Sequence, residues 1–127
     1  MEKLQNVLIC VTRQKSCERL IKAGFDESQK SGGKPYVIHV APIGENFLGN
    51  PREDEALECL FDISKQVGAE MTVLRSDDIV SVLKDYSEKH EIGIMILGES
   101  PKSKKEGGFI RQLRKGLHGV EFIIVPA

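Results

Sequence analysis

The chain has 127 residues, a formal net charge of −1, 40% hydrophobic and 29% charged residues. That length fits one domain, expected to span 1–127, with a core of its own. The near-neutral balance excludes a general field for nucleic acid or an anionic membrane, and no apolar run reaches the length of a membrane span. The opening MEKLQNVLICV lacks the length and cleavage pattern of a signal peptide, so a cytoplasmic protein is expected.

LQNVLICVT (Leu4–Thr12) is aliphatic and β-branched and reads as a buried strand. Ser16 then offers a helix cap, and Cys17, Leu20, Ile21, Gly24, Phe25 and Ser28 fall on one helical face. SGG (Ser31–Gly33) stops that helix, and PYVIHVA (Pro35–Ala41) is the second strand. After a loop, Asn50-Pro51-Arg52-Glu53 has the pattern of a helix start: a capping Asn, a Pro in the first turn and a Glu three residues after the cap. Ala56, Leu57, Leu60, Phe61, Ser64 and Val67 are its expected inner face, and Gly68 its end. AEMTVLR is the third strand. Ser76-Asp77-Asp78 starts a third helix whose inner face is Ile79, Val82, Leu83, Tyr86 and His90. IGIMILG, GFIRQLRKG and VEFIIVP complete the pattern as strand, short helix and strand.

Strands apolar on both faces and separated by helices predict an α/β fold, a doubly wound five-stranded parallel sheet with helices on both sides. In such a sheet a ligand sits beyond the carboxyl ends of the strands, where strand order reverses. With the first and fourth strands as central neighbours, Val11-Thr12 and Gly98-Glu99-Ser100 face that crevice, and His39-Val40-Ala41 stands beside them. Gly98 allows close backbone approach, Ser100 and Ser103 offer hydroxyls, and Gly107-Gly108 precede a helix whose free N–H groups suit a phosphate. From Gly98 to Lys115 there are six Lys or Arg against two Glu, a local net of +4. A solvated basic loop with turn glycines accounts for the same residues, and the loop alone does not choose.

VLICVT, YVIHVA, GAEMTVL and IMILGES together resemble the universal stress protein superfamily along essentially the whole chain. CVTRQKSCERLIKAG is most similar to the universal stress domain of Kdp-type potassium-sensing histidine kinases. The resemblance implies an adenine-nucleotide alpha-hydrolase-like sheet of order 3-2-1-4-5. It also implies ATP, with or without Mg, bound through G-x2-G-x9-G-[ST] after the fourth strand. Gly98 matches the first glycine of that motif, but Pro101 stands at the second and Arg111-Gln112 at the last pair. Shortening the loop by four residues brings Gly107-Gly108 to the final pair, with no hydroxyl at Gly108. Thr12 stands where ATP-binding members usually carry an acid. Ser100-Pro101-Lys102-Ser103 resembles the branch in which serines of this loop recognise cyclic di-AMP. The expected site places adenine between Val11-Thr12 and Val40-Ala41. The phosphates lie over Gly98, Ser100, Ser103, Gly107, Gly108 and Phe109, screened by Lys102, Lys104 or Lys105.

No Ser-His-Asp, Cys-His or two-carboxylate arrangement follows from spacing, so a non-catalytic binding module is expected. His39 reads as a core or strand-end histidine ahead of a ligand contact, His90 as a helix-end residue and His118 as a turn residue. SGGK (Ser31–Lys34) follows a helix and precedes a strand, the wrong context for a phosphate loop. Asp77-Asp78 and Glu53-Asp54-Glu55 are explained by compensation of helix dipoles. Cys10, Cys17 and Cys59, with no CxxC spacing, are expected to be buried reduced thiols, and a metal or disulfide framework is not expected. The last strand, Val120–Val125, is an apolar edge, and in the resembled family that edge builds a homodimer. The alternative function is an interaction module that has lost nucleotide binding and works by dimerising or by docking to a sensor kinase or transporter.

Overall fold

The structure, a computed structural model, describes residues 5–11, 14–98 and 107–126. In chain order the elements are β1 (Gln5–Cys10), α1 (Gln14–Ser31), β2 (Gly32–Ala41), α2 (Glu53–Gln66), β3 (Glu70–Arg75), α3 (Ile79–Lys89), β4 (Ile92–Gly98), α4 (Gly107–Gly116) and β5 (Glu121–Val125). The five strands form one parallel sheet in the order β3-β2-β1-β4-β5. This is the doubly wound arrangement expected from the alternation of strands and helices.

Strand parity sorts the aliphatic side chains between two cores. Val7, Ile9, Val11, Val37, Ile94 and Ile96 pack on one side with Cys17, Leu20 and Ile21 of α1 and Ala56 and Leu60 of α2. Leu8, Cys10, Tyr36, Ile38, Val40, Met95 and Leu97 pack on the other with Leu83 of α3 and Leu113 of α4. The central strands β1 and β4 are therefore apolar at consecutive positions, while the edge strands β3 and β5 are only half-buried. Burial pushes the Cys10 thiol up to about 12. Cys17 is also buried and its thiol raised, chiefly by burial, whereas Cys59 is half-exposed, against the expectation of a buried thiol.

Several boundaries differ from the sequence expectation. The first helix begins at Gln14, ahead of Ser16. The second begins at Glu53, with Arg52 at the cap position and no side-chain cap bond. Asn50 instead accepts the Arg52 N–H across a tight turn at 3.0 Å, which leaves Pro51 outside the helix. Phe61 is 51% exposed. It is turned about 100° from Leu60 and about 140° from Ala56, and the inner face is completed by Ile63, Ser64 and Val67. Gly68 does end this helix, at φ 69°. The N–H of Gly68 reaches the Lys65 carbonyl at 3.1 Å and that of Ala69 reaches Ser64 at 2.9 Å, a Schellman closure. Asp78 caps α3 by accepting the Ser81 N–H at 3.2 Å. His90 is the C-cap of α3, its ring clustered at a tilt with those of Tyr36 and Tyr86, and His118 lies in the turn before β5.

Ser31 and Gly33 close the α1–β2 junction. The Ser31 hydroxyl donates to the Gln5 carbonyl at 2.7 Å, and a Cβ at Gly33 would fall 1.9 Å from that same oxygen. Gly33 thus serves a close strand approach, while Gly32, at φ 77°, directly follows the last residue of α1, the helix stop read from SGG. No helix among the described residues is long and apolar enough to cross a membrane.

Candidate functional site

Strand order reverses between β1 and β4, and the chain leaves β1 for α1 on one face and β4 for α4 on the other, which is the place where such sheets bind ligands. The register pairs Ile9 with Ile96, which carries Val11 to the level of Gly98. Gly98 is exposed at the end of β4. Gly107, Gly108 and Phe109 form the first turn of α4, whose N–H groups have no partner within the helix. Thr12, Ser100 and Ser103 lie outside the described residues, as do Glu99, Lys102, Lys104, Lys105 and Glu106.

Val11, Val40 and Ala41 are buried with their side chains turned away from solvent. Val11 packs with α1 and α2, and Val40 with α3 and α4. Both main-chain groups of Val11 are engaged within the protein: its N–H donates to the Ile38 carbonyl at 3.0 Å and its own carbonyl meets His39 Nδ1 at 2.8 Å. The Ala41 carbonyl accepts the Ser76 N–H at 3.0 Å. The side chains of these three residues are closed to a ligand, and at Val11 and Ala41 the carbonyls at the strand ends are already bonded within the protein.

His39 joins three pieces of the chain. Besides Val11, its Nε2 accepts the N–H of Leu48 at 2.8 Å, and the Phe47 ring stands edge-on with centroids 5.8 Å apart. A ring nitrogen that accepts carries no proton, so the proton sits on Nδ1 and the imidazole is neutral. Burial lowers the pKa of His39; the Val11 carbonyl opposes this and the charge of Arg75 adds to it. Leu48 itself holds a left-handed backbone, φ 56°, with its side chain buried in the core. A branched residue is rarely found there.

The loop that contains Leu48, residues 42–52, is pinned from the far side as well. Arg75, at the end of β3, donates to the Glu45 carbonyl at 2.6 Å, pairs with Glu53 at 3.0 Å and lies 3.9 Å over the Phe47 ring. Glu53 also accepts the Phe47 N–H at 3.2 Å, and Asp77 accepts the Ile43 N–H at 3.0 Å. Both acids sit near helix starts, where dipole compensation was their expected role; each also fastens this loop. His39, Glu53, Arg75 and Asp77 were not read from sequence as a unit. The one signal was an Arg at the end of a strand apolar enough to be buried.

An open groove of about 510 Å³ lies elsewhere, between α1 and α2, lined by Glu18, Glu55, Glu58, Cys59, Asp62, Ile63 and Gln66. Four carboxylates make it unsuited to an anionic ligand. No group of three or more His, Cys, Asp or Glu among the described residues could hold a metal ion.

No family model matches the chain, and no curated protein matches it by sequence. Its fold, by contrast, is that of universal stress proteins. A universal stress protein solved in complex with cAMP aligns with TM-score 0.69 and 13% identity over 95% of this chain and 96% of that one. One from Archaeoglobus fulgidus, in complex with dAMP, aligns with TM-score 0.63 and 17% identity over 98% of each chain. The universal stress protein UspA from Lactobacillus plantarum aligns with TM-score 0.68 and 14% identity over 97% and 98%.

Proposed function

We propose that the chain is a universal stress-type module that binds an adenine nucleotide without turning it over. The observation that carries this reading is the crevice at the strand-order reversal, where the ends of β1 and β4 meet beside exposed Gly98. Two structures of the same fold, solved with cAMP and with dAMP, support an adenine nucleotide as the ligand class. The ligand is ATP, with or without Mg, or cyclic di-AMP. Ser100 and Ser103 are its hydroxyl donors and the first turn of α4 is its phosphate contact. The run CVTRQKSCERLIKAG supports a place near the universal stress domains of Kdp-type sensor kinases, and with it a cytoplasmic signalling role.

A thermal-shift panel of ATP, ADP, AMP, cAMP and cyclic di-AMP, with and without Mg²⁺, tests the reading. A ligand that prefers the native state raises the melting temperature by mass action. A selective rise, lost when Ser100 and Ser103 are both changed to alanine, supports it. No rise with any nucleotide at millimolar concentration sinks it.

A second reading has its own observation. β5 ends the sheet with Phe122, Ile123, Ile124 and Val125 only half-buried, an edge fit to pair with another strand. Under this reading the chain is a homodimer through Val120–Val125, or docks to a sensor kinase or transporter by that edge. Sedimentation of the wild type and of Ile124→Lys separates the two: a dimer that the substitution dissociates supports the edge, and a monomer at all concentrations removes the homodimer.

A further inference from the structure

We propose that His39 is a pH-sensitive latch, which in its neutral form fastens the loop of residues 42–52 to the end of β1 and on protonation releases it. The imidazole is the bridge between a fixed strand and the inner side of a loop whose outer side is held by Arg75, Glu53 and Asp77. On one side it donates from Nδ1 to the Val11 carbonyl; on the other it accepts the Leu48 N–H at Nε2. Both distances are 2.8 Å, and the residue is 3% exposed. Leu48 sits in a left-handed conformation that leucine does not favour, so the loop holds its geometry only while partners hold Leu48.

A proton taken from solvent has one place to go. Nδ1 is already protonated, so it adds to Nε2 and displaces the hydrogen bond from Leu48. Two N–H groups then face each other across a distance that suits a donor and an acceptor. Among the described residues the buried cation finds no counter-charge free to meet it. On this side of the sheet the titratable groups among the described residues include Arg75 of β3, Glu53 of α2, the thiols of Cys17 and Cys59, and Glu18, Glu55, Glu58 and Asp62 along the α1–α2 groove; of their charges, that of Arg75 is the one that acts on His39. Glu53 is already bound to Arg75 and to the Phe47 N–H, and the charge of Arg75 opposes the new proton. The cheaper course is for the loop to leave, taking Leu48 out of the core and giving the imidazole water. β2 runs directly into this loop from Val40-Ala41, so release opens the wall of the crevice. That consequence for ligand binding rests on the nucleotide reading above; the latch does not.

Nuclear magnetic resonance of the ligand-free protein tests it. At about pH 7.5 the His39 ring is expected as the neutral Nδ1–H tautomer, with the Leu48 amide protected from exchange. On acidification to about pH 5 the amides of residues 46–50 should lose roughly tenfold or more of their protection, while those of β1 and β4 keep theirs. His39→Gln retains an acceptor within reach of Leu48 but cannot gain a charge, so its loop protection should not change with pH. The proposal is overturned if His39 carries its proton on Nε2 at neutral pH. It is equally overturned if His39 becomes protonated with the loop still protected, or if loop and sheet lose protection together. The tautomer is read in the wild type, so the test survives a variant that does not fold. Loop release on schedule with no nucleotide bound at either pH would leave the latch standing and remove the nucleotide reading.

Discussion

Gly24 of α1 faces Ile9 of β1 so closely that a Cβ on the glycine would stand 2.2 Å from Ile9 Cγ1. Both residues are buried, and Ile9 lies on β1, the middle strand of the sheet. The helix rides on the strand at a distance only glycine permits. Gly24→Ala is therefore expected to destabilise the protein by about 1–3 kcal/mol through overpacking, against a gain of about 1 kcal/mol from helix propensity. A chemical denaturation series with Gly24→Ala, Ile9→Ala and the pair decides it. If the contact is as close as stated, the double substitution costs clearly less than the two singles added. Simple additivity would mean that helix and strand can separate without penalty.

The buried imidazole of His39 gives stability a pH dependence of known sign. Burial lowers its pKa in the folded protein, so over the range between the folded and unfolded values the unfolded chain holds more protons. Stability then rises with pH across that range. Its contribution is complete above the unfolded value of about 6.5 and is lost as pH falls toward the lowered folded value. Urea midpoints of the wild type and of His39→Gln, compared at about pH 7.5 and about pH 5.5, isolate this residue from His90 and His118. The wild type should lose more stability on acidification than the variant. Equal losses would place the imidazole in an environment no drier than water.

Ser87 carries a different kind of strain. Its hydroxyl is buried on α3 and has no hydrogen-bond partner among the described residues. Ser64 and Ser28, also buried, return their hydroxyls to the carbonyls of Leu60 and Phe25 at 2.8 and 2.7 Å. Replacing a buried hydroxyl that bonds nothing removes a desolvation cost, and alanine is the better helix former. Ser87→Ala should stabilise by about 1 kcal/mol, whereas Ser64→Ala should cost roughly 0.5–1 kcal/mol. A lower midpoint for Ser87→Ala would mean that the hydroxyl has a partner.

What could be read from sequence follows from the range of the forces involved. Consecutive aliphatic residues in VLICV and IMIL mark strands covered on both faces, and each is a central strand of the sheet. The stop at Gly68 is local chemistry, a left-handed position that glycine fills. Asn50-Pro51 carries an equally local signal, yet the helix starts later, because Glu53 is drawn to Phe47 and Arg75 by contacts that sequence spacing does not display. Leu48 could not be found at all: nothing about a leucine announces a left-handed backbone, and its partner lies nine residues away across the core. Val11 and Val40 were placed at the right end of the right strands. Strand parity and the bonds made by His39 decide what they present there, and parity was legible whereas those bonds were not.

Gly98 illustrates how one residue can confound a test of binding. A Cβ there would lie 3.3 Å from Leu20 Cδ1, so the glycine serves the packing of α1 as well as an open crevice. Gly98→Val would weaken a nucleotide complex by distorting the core even if no ligand touched it. Ser100→Ala with Ser103→Ala is the cleaner change. If the serines hold the ligand, the melting temperature without nucleotide should stay as in the wild type, while the nucleotide-induced rise shrinks. A tenfold loss of affinity corresponds to about 1.4 kcal/mol. At the size of this chain that is roughly 3–6 °C of the shift at saturating ligand. Gly98→Ala, measured beside it, should lower the ligand-free melting temperature as Leu20 gives way. A double-serine variant that keeps the full nucleotide shift would move the phosphate contact away from these hydroxyls and leave the first turn of α4 to carry it.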